Sequence, residues 1–185
     1  MLSSAADKEW IPLVREVTAI AVPDGFDIPV PAGTEVQIIH QLGGDFTVRN
    51  RFGALFRIDG AQAGALGKDV PEPTYAADPN APYSEESVED ALRTCYDPEI
   101  PVNVLDLGLI YEMVTEKLEE GGHRVLIKMT LTAPGCGMGQ VIVDDVHFKV
   151  ASVPGVAEVK VDLVFDPPWT PALMTESARL QTGLA

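Results

Sequence analysis

Two cysteines in 185 residues are too few for a disulfide scaffold. They suit a reducing compartment such as the cytosol. No run approaches the roughly 18 apolar residues of a membrane span. Met1 to Trp10 carries neither the basic n-region nor the apolar core of a secretory signal. Basic residues are scarce: 13 against 28 acidic ones, for a formal charge of −15. A nucleic-acid surface needs clustered Lys and Arg, so that class of partner is excluded. CxxC and HxxxH spacings are also missing, which removes the usual structural zinc site.

What is present suits a globular chain of one ordinary domain or two small ones, with 46% apolar residues. The acidity is uneven. Residues 1–70 hold 9 acidic and 6 basic groups, whereas 71–185 hold 19 and 7. Between these halves, Val70 to Pro82 contains four prolines and no apolar period, the composition of a stiff linker. We therefore expect a small all-β docking domain at 1–70, a linker at 71–83 and a second domain at 84–185.

The first part alternates short β-prone runs with turns. Glu16–Val22, Thr34–His40, Phe46–Phe52 and Leu55–Ile58 read as strands separated by Pro/Gly/Asp turns, which suggests a small barrel or sandwich. His40 alternates with Ile38 and reads as a strand side chain rather than a ligand. The second part reads as α+β. Ser84 can N-cap a helix, with Tyr83 before it as a staple toward Val88. Val88, Ala91, Leu92 and Cys95 form its apolar stripe, so Cys95 is a core residue. Strands follow at Leu109–Lys117 and Val125–Leu131, joined through Gly121–Gly122 as a hairpin. Then come a helix from Met138, a strand at Val156–Phe165 and a short helix near Met174–Gln181. In the third strand, Val159, Val161, Leu163 and Phe165 face one side. Helices on one face of a small mixed β-sheet would bury it.

Between the second strand and the second helix lies Leu131-Thr-Ala-Pro-Gly-Cys-Gly-Met-Gly139. Gly135 and Gly137 permit a sharp turn around Cys136. A cysteine at a helix start meets free N–H groups and the positive end of the helix dipole. Both favour the thiolate, the form that attacks electrophiles and binds soft metals. The plain alternative is a small buried residue in a turn. Asp97 and Glu99, flanking Pro98, can bind a cation or move a proton, or Asp97 can simply cap its turn. Thr130 and Thr132 can bond to the sulfur or its cargo, or serve only as β-branched strand residues. Asp106 reads as a turn cap. His123 sits in an exposed hairpin, and His147 lies well over ~10 Å along the helix from Cys136. A Cys–His catalytic pair is not signalled.

Three blocks carry a resemblance: Asp97-Pro-Glu-Ile-Pro-Val-Asn-Val-Leu-Asp-Leu-Gly-Leu-Ile-Tyr111, Met129-Thr-Leu-Thr-Ala-Pro-Gly-Cys136 and Asp166-Pro-Pro-Trp-Thr-Pro171. Together they resemble the small iron–sulfur cluster assembly domain of PaaD-type proteins and cytosolic iron–sulfur targeting factors. The N-terminal extension, with Leu42–Val48 and Arg57–Gly60, is similar to that of SufT-type members tied to the SUF pathway. The resemblance implies a maturation factor, not an enzyme, that delivers clusters to apo client proteins alongside the assembly proteins. It places the reactive cysteine at Cys136, the acidic pair at Asp97 and Glu99, and the threonine at Thr132. The closing aromatic falls on Trp169 and the last-helix arginine on Arg179. Many relatives follow the cysteine with proline, where this chain has Gly137-Met138. One thiolate cannot hold a cluster that wants four ligands. A labile iron–sulfur cluster at Cys136 would need glutathione, a partner or a second copy in a homodimer to complete its shell. A thiol enzyme with Cys136 as nucleophile, and a metal-free adaptor, are the competing readings.

Overall fold

A computed structural model describes residues 9–71, 81–97 and 99–183. The chain divides into two units, Met1–Thr74 and Tyr75–Ala185. Most of the proline-rich stretch, at 72–80, lies outside the described residues, as does Pro98.

The first unit is one antiparallel six-stranded sheet. Its strands are β1 (Trp10–Pro12), β2 (Val17–Val22), β3 (Asp27–Val30), β4 (Glu35–Leu42), β5 (Asp45–Asn50) and β6 (Leu55–Ile58). Their order is β1-β4-β5-β6-β2-β3. The four strands expected from alternation are β2, β4, β5 and β6. The two that alternation does not reveal are the edges, and each contains a proline. Proline cannot donate to a ladder, so it is confined to such positions. Phe46, Val48 and Ile58 form the middle of the core, with Ala63, Ala65 and Leu66 from a 3-10 stretch at Gly60–Leu66 packed into it. His40 pairs opposite Thr47 in β4, beside a bulge at Ile39, so it is a strand side chain.

The second unit runs α1 (Glu85–Leu92), β7 (Ile110–Lys117), β8 (His123–Met129), α2 (Gly139–Ala151), β9 (Val156–Leu163) and α3 (Glu176–Thr182). This is the expected order. Ser84 has an extended backbone, and its Oγ accepts the Ser87 N–H at 3.1 Å, which starts α1. Tyr83, expected to staple toward Val88, stacks its ring on His123 at 3.8 Å and bonds Thr115 through its hydroxyl. Strand β8 is central, antiparallel to β7 and parallel to β9. Helix α1 packs on α2, and α2 packs on β9.

Alternation sorts the sheet into two faces. Val125, Ile127 and Met129 of β8 are buried on the helix side, under Val88, Ala91, Leu92, Ile142, Val146 and Val150. A fully buried Leu or Val contributes about 1.5–3 kcal/mol, so this layer dominates the unit's stability. The opposite face is a solvated ladder of cross-strand ion pairs: Lys128–Glu112 at 2.5 Å and Arg124–Glu158 at 2.6 Å. The hydrogen bond and charge of Glu112 raise the Lys128 pKa above its ordinary value. Exposed pairs of this kind add little stability but keep the face wet. One expectation fails here. Leu163 and Phe165, read as inward, are 37% and 44% exposed. Leu163 ends the edge strand β9, and Phe165 lies two residues beyond it.

Candidate functional site

Strand register brings the segments that carry the candidate residues to one end of the sheet. Ile110 at the start of β7 faces Met129 at the end of β8, and Met129 lies beside Leu163 at the end of β9. The segment before β7, the loop after β8 and the tail after β9 therefore all leave the sheet at the same end. These three segments hold Asp97 and Glu99, then Thr130, Thr132 and Cys136, then Trp169 and Arg179.

The cysteine loop is plugged at both ends. Leu131 is buried against Gly139, where a Cβ would sit 2.6 Å from the Leu131 Cδ1. Met138, at the other end of the loop, is buried as well. Ala133 to Gly135 and Gly137 are exposed between these plugs, and Cys136 is half-buried. Gly135 takes the left-handed φ of +79°, whereas Gly137, expected to help in the same way, does not. The Cys136 N–H donates to Ala133 O, and its carbonyl accepts the Gly139 N–H at 3.1 Å. Helix α2 begins at Gly139, three residues on, with no side chain capping it. Its first N–H, that of Gly139, is the one the Cys136 carbonyl takes. From Met129 to Val143 the chain carries no charged residue, so no carboxylate in the loop's own sequence opposes an anionic sulfur.

Cys95 is the contrast. It is fully buried, and its Sγ donates weakly to Ala91 O at 3.6 Å. Only Cys136 of the two free cysteines is reachable.

The acidic pair is split by the fold. Asp97 is buried, and its Oδ1 accepts the N–H groups of Glu99 and Ile100 at 2.8 and 2.9 Å. That is the turn-capping alternative raised above. Glu99 is exposed. Asp106 likewise closes a turn, exchanging two hydrogen bonds with Asn103. Trp169 is half-buried and donates its indole N–H to Leu107 O at 2.7 Å. It clasps the tail to the preceding loop.

Sequence reasoning missed the extent of that clasp. Tyr111 Oη donates to Pro167 O, the Thr175 N–H to Asp106 O, and the Gln181 amide to Pro101 O. Gly108 has a φ of +70°, and a Cβ there would lie 2.2 Å from Leu173 O. The tail from Val164 to Gly183 is thus a strap over residues 101–111. Gly108, in a loop that must leave room for a crossing chain, was the available signal.

Among the described residues no three His, Cys, Asp or Glu side chains form a group that could hold a metal ion. No helix among them is long and apolar enough to cross a membrane. The arrangement offers one reachable sulfur at the rim of a sheet end and, among the described residues, no group of three side-chain ligands around it.

Comparison with known proteins adds a family. Residues 85–161 match the family described as iron–sulfur cluster assembly protein. A protein of Porphyromonas gingivalis named Fe-S protein maturation auxiliary factor is 50% identical over 100 residues, covering 54% of this chain and 91% of that one. The Staphylococcus aureus Fe-S protein maturation auxiliary factor SufT is 36% identical over 89 residues, covering 48% of this chain and 97% of its own length. A solved structure of a conserved hypothetical protein from Thermotoga maritima is 34% identical, with a TM-score of 0.47, over 55% of this chain and 95% of that one. Each match uses nearly all of the relative and about half of this chain.

Proposed function

Since the chain belongs to the iron–sulfur cluster assembly protein family, we propose that it is an auxiliary maturation factor that passes clusters to client proteins through Cys136. The observation that carries this reading is the reachable Cys136 on a charge-free loop at the sheet end, while Cys95 is sealed in the core. A cluster is cargo here, not a resident group. Iron–sulfur clusters take four ligands as a rule, so Cys136 supplies one. The others come from a small thiol, an assembly partner, the client or a second copy of this chain. The buried residues at the loop ends hold the sulfur in place, and the charge-free stretch from Met129 to Val143 puts no carboxylate beside it along the chain. Partners on this reading are cluster-donating assembly proteins and apo clients, in the reducing cytoplasm.

Anaerobic reconstitution with iron and sulfide tests it, using the wild-type chain, Cys136→Ala and Cys95→Ala. Bound iron and visible absorbance are measured after desalting, and the size of the holo species by gel filtration. Expected is a labile chromophore lost in Cys136→Ala and kept in Cys95→Ala. No chromophore in any of the three would refute direct carriage and leave a docking role.

A further inference from the structure

Two buried polar atoms at the cysteine end of the second unit have no hydrogen-bond partner: Thr130 Oγ1 and Arg179 Nε. Thr130 is 1% exposed and is the residue next after β8, with its N–H bonded to Leu109 O. Arg179 lies in α3, which is pinned to the adjoining loop at Asp106 O and Pro101 O through Thr175 and Gln181. The Thr130 backbone therefore meets residue 109, and the helix that carries Arg179 meets residues 101 and 106.

The arginine is the sharper anomaly. Among the described residues the other six arginines, 15, 49, 51, 57, 93 and 124, each donate at least one side-chain hydrogen bond. Arg179 donates none, in a chain with 28 carboxylate side chains. Its place in the last turn of α3 suits a cation, but the helix dipole gives no acceptor to Nε. Guanidinium cannot lose its charge, and a buried N–H left without an acceptor is costly. We propose that Arg179, with Thr130 as a second donor, binds a carboxylate brought in from outside the chain. The planar fork of arginine matches carboxylate oxygens in pairs. Residues 71–185 carry 19 acidic and 7 basic side chains, so one unpaired cation offsets a monoanion, whereas a dianionic phosphate meets a net repulsive field. A carboxylate anchored here tethers its bearer at the end of the sheet where the Cys136 loop emerges. The subsite does not depend on cluster carriage.

The test is a titration of the full-length apo protein, followed by the Arg179 Nε–Hε NMR resonance. Sodium acetate is the probe, with sodium phosphate and sodium chloride arms at matched ionic strength. Acetate is expected to move the resonance saturably. Arg179→Lys, which keeps the charge without the fork, weakens acetate binding roughly tenfold or more, followed on the Thr130 amide. Thr130→Val weakens it less, and Cys136→Ser leaves it intact, which separates this subsite from the cluster reading. An unmoved resonance, as a resident water would give, overturns the proposal. So does an equal response to chloride. Binding of phosphate but not acetate overturns the carboxylate assignment, and an unchanged affinity in Thr130→Val removes Thr130 from the subsite.

Discussion

Gly108→Ala should unfasten the strap that carries Trp169 and Arg179. Two effects act at this position. The φ of +70° is left-handed, which costs an L-residue about 1–2 kcal/mol. A methyl group would also lie 2.2 Å from Leu173 O and 2.7 Å from Leu173 C. Both are backbone atoms, so no rotamer change relieves the clash and the strap must retreat. Retreat breaks the bonds from Trp169 to Leu107 O and from Thr175 to Asp106 O. At about 0.5–1.5 kcal/mol each, they bring the expected loss for the second unit to about 2–5 kcal/mol. Gly121→Ala is the control, because φ there is +100° with nothing within 4 Å of the added Cβ. It should cost only the ~1–2 kcal/mol of strain. Trp10 and Trp169 are the only tryptophans, so in a Trp10→Phe background urea unfolding followed by fluorescence reports the second unit alone. Native Gly108→Ala should already show red-shifted Trp169 emission, and its midpoint should fall well below that of Gly121→Ala. If the two variants have equal midpoints and Trp169 emission is unchanged, the strap is not held as described.

Asp97→Ala should destabilise the second unit by about 1–3 kcal/mol, because two backbone N–H groups lose their acceptor. Asp97→Asn retains Oδ1 and should recover most of that in a thermal melt; a melt as low as that of the alanine variant would show that the charge itself is required. Cys95→Ser puts a hydroxyl into a fully buried place and should cost about 1–2 kcal/mol, whereas Cys136→Ser should stay within about 0.5 kcal/mol of wild type. On the proposed function, Cys136→Ser still abolishes cluster delivery to an apo client, measured by client activity. Ser84→Ala removes the cap of α1 and should cost about 1 kcal/mol by denaturant titration; no change would mean that tertiary packing alone sets where the helix starts.

Much of the second unit was legible because its signals are local. Ser84 before a Val88/Ala91/Leu92/Cys95 stripe announces a capped amphipathic helix wherever it occurs, and the stripe already marks Cys95 as core. The alternation Val125/Ile127/Met129 fixes which face of β8 is buried. Asp97 as an Asx acceptor could be weighed but not decided, since the same carboxylate also suits chemistry until its backbone partners are seen. The edge strands β1 and β3 escaped because their prolines break the pattern that marks a strand. Leu163 and Phe165 misled because alternation reports which side a residue takes, not whether anything lies over it.

The sequence by itself determined the four central strands of the first unit, the α+β order of the second unit, and Cys136 as the cysteine set in a glycine turn. These follow from periodicity, caps and backbone freedom, which act over a few residues. Tertiary structure alone decided that the loops before β7 and after β8 and the tail after β9 leave the sheet at one end, because strand register sets that. It also decided the strap, whose clasps fall on the carbonyls of Pro101, Asp106 and Leu107. Every residue carries a carbonyl, so no side-chain pattern can announce which ones a distant segment will use. The same holds for Thr130 Oγ1 and Arg179 Nε: a polar atom is left without a partner only after everything around it has packed.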